Sequence, residues 1–209
     1  MLKKNSPLLN DLLFGQGLWG LIEVVTDRML FFIFYKALYQ RTFKYYGKNI
    51  RWGRGFRKFI IPKSVRLSCP EKISIGDNCQ IDDFVFLQSD SGEKFESGIT
   101  LGEKVRINSN SHILAGSKIE IGDEVLIAPF CLITSNNHRI DLDISIMNQG
   151  MKHSGEVFIG KGSWIGQDSK ILGGAYIGEN SVVGAGAIVL KGNYPSRSKV
   201  LGLASKIKS

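Results

Sequence analysis

The sequence predicts an all-β solenoid, a parallel β-helix of triangular coils, behind an N-terminal α-helical extension. Three observations predict the solenoid. In the run from Glu156 to Asn193 an aliphatic residue returns at every sixth position: Ile159, Ile165, Ile171, Ile177, Val183 and Val189. Four places after each stands a small residue: Ser163, Ser169, Ala175, Ser181, Ala187 and Asn193. Gly follows the aliphatic residue at Gly160, Gly166, Gly178 and Gly184. A period of six is neither the helical 3.6 nor simple alternation. It fits a short strand, a corner and another short strand, with positions one and five pointing inward. The glycines are expected to supply corner angles that a Cβ forbids. Three sixes close a coil of about eighteen residues, and coils stack through parallel ladders. A Gly-rich sandwich would not keep so many matches in phase.

The first 59 residues read differently. Residues 8–46 have helical character, and the apolar run Met29–Tyr35 is bounded by Asp27, Arg28 and Lys36. That run is far short of the roughly 20 residues needed to span a bilayer. Lys36, Gln40, Lys44 and Lys48 recur every four residues and make a basic stripe on one helix side. Two readings stand open: a helix capping the solenoid's first coil, whose open edge needs cover, or an interfacial helix on an anionic membrane. Residues 47–72 mix Gly, Arg and aromatics without a nucleic-acid motif, so no nucleic acid is expected as a partner. Strand character begins at Ile60, which sets the expected domains at 1–59 and 60–209.

The sixes become regular at Ile75 and Ile81, and a polar loop near 88–98 interrupts them. They resume at Leu101, Ile107 and Ile113. Ile119 and Glu120 read as two extra residues that shift the phase to Ile121, Ile127 and Ile133. Residues 139–156 break the pattern as a second protruding loop, and the closing six repeats follow.

Charge separates the two regions. The net charge is +8. Met1 to Cys69 holds thirteen Lys or Arg against Asp11, Glu23 and Asp27, whereas the remainder holds fourteen bases against sixteen acids. The basic character therefore belongs to the N-terminal third, where it suits an anionic lipid surface or solvent. Cys79 and Cys131 fall on the inward fifth position and read as small buried hydrophobes. Cys69 is left over, and an odd cysteine count without a framework points to a reducing compartment. No cleavable signal peptide is apparent in the opening MLKKNSPLLNDLLFGQGLWG. The expected location is the cytoplasm, with peripheral contact at the inner membrane face if the helix binds lipid.

The polar cluster Ser135-Asn136-Asn137-His138-Arg139 stands at the root of the second loop. His138 occupies the sixth, outward position of its repeat. An outward His there is a candidate general base, since its unperturbed pKa lies near about 6.5; the competing reading is a surface His without a role. Asn110 can donate and accept at once, which suits a hydroxyl-bearing substrate; the competing reading is a corner Asn at left-handed angles. His112, His138 and His153 include no pair at ligand spacing, so no metal is expected. P-loop, dinucleotide, zinc-finger and nucleophile-elbow patterns are absent from the sequence.

The runs IEIGDEVLIAPFCLITSNNH and IGKGSWIGQDSKILGGAYIGENSVVGAGAIVLKG, with the tail VLGLASKIK, resemble the hexapeptide-repeat acyltransferases. The likeness is to the branch of galactoside, maltose and nodulation acetyltransferases and to sugar acetyltransferases of capsule and O-antigen clusters. It covers about residues 70–209. It implies a left-handed β-helix, a hand that departs from the usual right-handed crossover, and a homotrimer with active sites between subunits. It also implies His138 as general base and Asn110 as the acceptor contact. Acetyl-CoA, the implied acyl donor, would touch Trp164, Gln167, Ala185, Lys191 and, in the tail, Lys206. Gln167 stands where the family often has Ser or Thr, Leu190 replaces a usual Thr, and the tail lacks the family's Pro.

The expected activity is transfer of acetyl from acetyl-CoA to a sugar hydroxyl of a glycan acceptor, in surface polysaccharide synthesis. Two alternatives remain at this point: N-acetylation of an amino-sugar nucleotide, and a non-catalytic trimeric scaffold.

Overall fold

A computed structural model describes residues 50–52, 64–90, 97–141 and 143–202. The expected helix over 8–46, with its basic stripe, and Lys206 lie outside the described residues. So does most of the expected loop near 88–98.

The described chain is a left-handed parallel β-helix of three sheets. Sheet 1 stacks Arg51–Trp52, Gln80–Ile81, Arg106–Ile107, Leu126–Ile127, Trp164–Ile165, Val182–Val183 and Lys199–Val200. Sheet 2 stacks Arg66–Ser68, Phe86–Ser89, His112–Ala115, Leu132–Thr134, Lys170–Leu172 and Ile188–Val189. Sheet 3 stacks Ile73–Ile75, Gly98–Leu101, Lys118–Ile121, Val157–Ile159, Ala175–Ile177 and Gly192–Tyr194. The chain visits the sheets in the order 1, 2, 3, which makes six coils and a closing strand. Arg51–Trp52 already pairs with Gln80–Ile81, ahead of the 59/60 boundary expected from the pattern.

The six-residue phase sets the core. Ile159, Ile165, Ile171, Ile177, Val183 and Val189 are all fully buried. The small inward residues Ser163, Ser169, Ala175, Ser181 and Ala187 are buried beside them. Their hydroxyls tie one coil to the next. The Ser163 hydroxyl donates to the Gly178 carbonyl (3.2 Å) and accepts the Ser181 N–H (3.1 Å). Ser111 does the same with the Ala128 carbonyl (3.0 Å) and the Cys131 N–H (3.2 Å). A buried hydroxyl is tolerable because it is satisfied in this way. Cys79 and Cys131 are buried at the same inward position of their sixes, Cys79 ahead of a sheet 1 strand and Cys131 ahead of a sheet 2 strand. Burial first, then nearby acids, pushes the Cys79 thiol up to about 11.

Three details depart from the sequence reading. The glycine after each aliphatic residue does not supply unusual angles: positive φ falls two places later, at Asn78, Phe84, Lys104, Asn110, Glu124, Phe130, Gly162, Asp168, Gly174, Asn180, Gly186 and Arg197. Glycine is needed for close approach instead. A Cβ on Gly160 would fall against the Glu179 backbone, and one on Gly166 would lie 2.6 Å from the Ala185 nitrogen. Second, Ile119 is not an insertion. Ile119 and Ile121 both face the core in sheet 3, paired with Val157 and Ile159, and the extra residues widen the corner around Gly116. Third, Asn193 is exposed, because the last coil is one residue short. Gly192 pairs with Ala175 and Tyr194 with Ile177, so the inward column passes through those two residues.

Candidate functional site

The corner between sheets 1 and 2 repeats a backbone motif. Phe84, Asn110, Phe130, Asp168 and Gly186 occupy one column, all with positive φ. Each of the last four donates its N–H to a carbonyl of an earlier coil: Asn110 to Asp83 (3.2 Å), Phe130 to Ser109 (3.2 Å), Asp168 to Pro129 (3.1 Å) and Gly186 to Gln167 (2.8 Å). Left-handed backbone is costly for residues with a Cβ, and this ladder offsets the cost. Since the column accepts Phe as readily as Asn, the backbone angle alone does not call for Asn at 110. Gln167 and Ala185 stand one place before the column in coils 5 and 6, both exposed. Trp164 is half-exposed on sheet 1, directly between Leu126 and Val182 in register.

The corner between sheets 2 and 3 carries the second loop. Its root is Ser135, fully buried. The Ser135 hydroxyl accepts the N–H groups of Gly116 (3.1 Å) and Ser117 (3.0 Å) and donates to the Ser117 carbonyl (2.8 Å). From this anchor Asn136–His138 runs antiparallel to Met151–His153, with His138 opposite Met151. The Asn137 side chain accepts the His138 N–H (2.9 Å), and the Arg139 N–H donates to the Gly150 carbonyl (3.1 Å). Beyond the hairpin, Arg139 grips Asp141 through two bonds (3.2 and 3.1 Å). That pairing holds the Asp141 carboxyl below its ordinary range. A short helix, Ile146–Gln149, follows. The loop's side chains Ile140, Ile144, Ile146, Met147 and Met151 are exposed, a concentration of apolar surface unusual outside an interaction site.

His138 is exposed at the end of its strand, in the two-stranded hairpin outside the three stacked sheets, so the six-residue phase does not set its direction. The chain therefore brings Asn110, Gln167 and Ala185 to one edge, with Trp164 on the sheet leading to it. His138 and Lys191 lie on the other edge of sheet 2. Ala185 and Lys191 flank the strand Ile188–Val189, roughly 20 Å apart along extended chain. Between them Ile188 and Leu190 are exposed. Among the described residues no group of three His, Cys, Asp or Glu side chains converges to hold a metal ion.

Sequence reasoning missed a groove on sheet 1 of about 510 Å³, lined by Asn78, Lys104, Arg106, Glu124, Val125 and Leu126. The signal was present: Arg106 precedes the inward Ile107, so its phase turns it outward into the column of Trp164.

The family of bacterial transferase hexapeptide repeats (six repeats) matches residues 156–191. A probable acetyltransferase of Mycobacterium tuberculosis is 31% identical over 57% of this chain and 36% of its own length. A dTDP-4-amino-4,6-dideoxy-D-glucose acyltransferase of Escherichia coli is 30% identical over 65% of this chain and 66% of its own. The chain thus spans from about a third to just under two thirds of these relatives. Among solved structures, the N-acyltransferase AntD of Bacillus cereus, in complex with dTDP and 3-hydroxybutyryl-CoA, superposes with a TM-score of 0.62. It is 25% identical over 83% of this chain and 87% of AntD.

Proposed function

Since this chain belongs to the hexapeptide-repeat transferase family, we propose that it transfers an acyl group from acyl-CoA to a sugar, with acetyl-CoA as donor and a sugar hydroxyl as acceptor. The observation that carries the reading is the division of the site residues between two edges. Asn110, Gln167 and Ala185 line one edge, and His138 projects from another on a hairpin anchored at Ser135. A complete site then requires a second copy, whose His138 reaches the first copy's groove. A homotrimer gives every groove one such neighbour, and it offers cover for the loop's exposed isoleucines and methionines.

In this reading His138 takes the proton from the acceptor hydroxyl as its oxygen attacks the thioester carbonyl. The carbon–sulfur bond breaks, and the thiol leaves with a proton. The Gly166 N–H is taken by the Val183 carbonyl (2.8 Å). We assign the neighbouring Gln167 N–H as the donor for the oxyanion, worth about 3 kcal/mol when aligned. The thioester lies over Gln167 and Ala185, and Trp164, Lys191 and Lys206 hold the rest of the coenzyme.

A second reading, N-acylation of an amino-sugar nucleotide, is favoured by the relatives: the E. coli protein is an acyltransferase for dTDP-4-amino-4,6-dideoxy-D-glucose, and AntD is an N-acyltransferase that binds the same amino-sugar nucleotide. The two are separated by acceptor. CoA release is measured with acetyl-CoA and matched sugars bearing either hydroxyl or amine at one position. Turnover confined to amines removes the O-acetyl reading, and turnover on hydroxyls upholds it.

The role in surface polysaccharide synthesis and the cytoplasmic membrane-face location are part of the same proposal. They are supported by the basic N-terminal third and the stripe Lys36, Gln40, Lys44 and Lys48. Full-length protein should sediment with phosphatidylglycerol vesicles at low salt and not with phosphatidylcholine vesicles; recovery in both supernatants would remove membrane contact.

A further inference from the structure

We propose that the groove on sheet 1 binds the diphosphate of the acceptor, with Arg106 as its anchor, so that the acceptor is a glycosyl diphosphate and not a free sugar. The word acceptor rests on the acyl-transfer reading above; the anion site stands on its own geometry.

The charges of the groove are unequal. Its lining holds two cations, Lys104 and Arg106, and one acid, Glu124. Glu124 is already engaged by Lys104 (3.0 Å) and, more loosely, by Lys161 (3.9 Å). Arg106 has no acidic partner among the described residues. An unengaged guanidinium on the wall of a concave surface offers a planar fork of donors, which matches two phosphate oxygens better than an ammonium does. Val125 and Leu126 supply the apolar remainder.

The groove is also placed for the reaction. Gln80, Arg106, Leu126 and Trp164 follow one another in register on the outer face of sheet 1. Coils stack about 4.8 Å apart, so Arg106 and Trp164 are separated by roughly 10 Å. Asn110 turns the corner four residues after Arg106 on the same coil. Residues assigned to the acyl donor lie in coils 5 and 6, whereas the groove and Asn110 lie in coils 2 to 4. A diphosphate on Arg106 thus leaves its sugar between Asn110 and the donor's thioester. The diphosphate can belong to a nucleotide or to a polyprenyl lipid, and the shared chemistry is what Arg106 reads.

The test is calorimetric titration of the full-length protein, saturated with CoA, with two probes: dTDP and farnesyl diphosphate. CoA is kept saturating because it carries a diphosphate of its own. At least one probe should bind. Affinity should fall roughly tenfold or more in Arg106→Gln, and less in Arg106→Lys, because a charged hydrogen-bond pair is lost. CoA affinity should stay within about twofold in both variants, since the sites are separate. Binding of dTDP alone assigns a nucleotide carrier, binding of farnesyl diphosphate alone a lipid carrier, and binding of both the diphosphate itself. The proposal is overturned if neither probe binds, if Arg106→Gln binds as well as wild type, or if saturating CoA abolishes binding. Should CoA itself not bind, acyl transfer fails. The same titrations without CoA then decide the anion site alone.

Discussion

His138 is the residue whose removal separates chemistry from donor binding. The side chain sits on an anchored hairpin and outside the column that holds Asn110, so removing it should leave the donor site intact. His138→Ala should lower kcat by about 10²- to 10⁴-fold, the usual contribution of a general base, with little change in acetyl-CoA affinity. Steady-state CoA release alongside a binding titration checks both halves, and near-normal turnover removes the assignment. Cys79 gives an independent test of the core. Its thiol ionises at an ordinary value of 9.0 in the unfolded chain and about 11 in the folded one, because burial disfavours the thiolate. The folded state thus binds this proton more tightly. The associated stability is whole below pH 9 and is lost as pH rises toward 11. Denaturant midpoints of wild type and Cys79→Ala should converge over that interval; parallel curves would contradict the burial. At this scale the inward and outward phase was legible, because six-residue periodicity fixes facing. Asn193 was misread because the last coil lost one residue and Gly192 with Tyr194 took the inward places. Such a deletion lies in the register, not in residue type.

The coil and its corner are the elements on which this phase acts. The glycine following each inward aliphatic residue was legible as a signature, but its reason was not. Only the stacked coils reveal that the Gly160 site meets the Glu179 backbone. Gly160→Ala should therefore destabilise by roughly 1–3 kcal/mol through backbone displacement. Gly186, which has positive φ and open space around it, should instead suffer from backbone strain when substituted, at about 1–2 kcal/mol. Denaturant unfolding measures both, and Gly160→Ala at wild-type stability would contradict the close approach. The hairpin at 136–153 was legible as an interruption but not as a hairpin. Its pairing of His138 with Met151 has no periodic trace, and Ser135 looks like any other inward serine.

For the whole molecule, the central geometric point is that His138 and Asn110 stand at different corners of one prism. The triangular coil could be inferred from the repeat, but the corner at which each polar residue stands could not, because it depends on how the coils and the hairpin at 136–153 are placed. If the site is shared, His138→Ala and Asn110→Ala proteins should each be nearly inactive, yet recover activity when unfolded and refolded together. Mixed trimers then contain grooves with an intact Asn110 facing an intact His138. Light scattering should give three chains per particle for wild type and both variants. Recovery absent from verified mixed trimers would place both residues in sites made by one chain.

The most direct test of the central claim is calorimetric titration of folded, full-length protein with acetyl-CoA. The account predicts saturable binding near one per chain, reduced when Trp164 or Lys191 is replaced by Ala and retained in His138→Ala. Absence of binding in folded trimers would contradict acyl transfer and leave the solenoid as a scaffold.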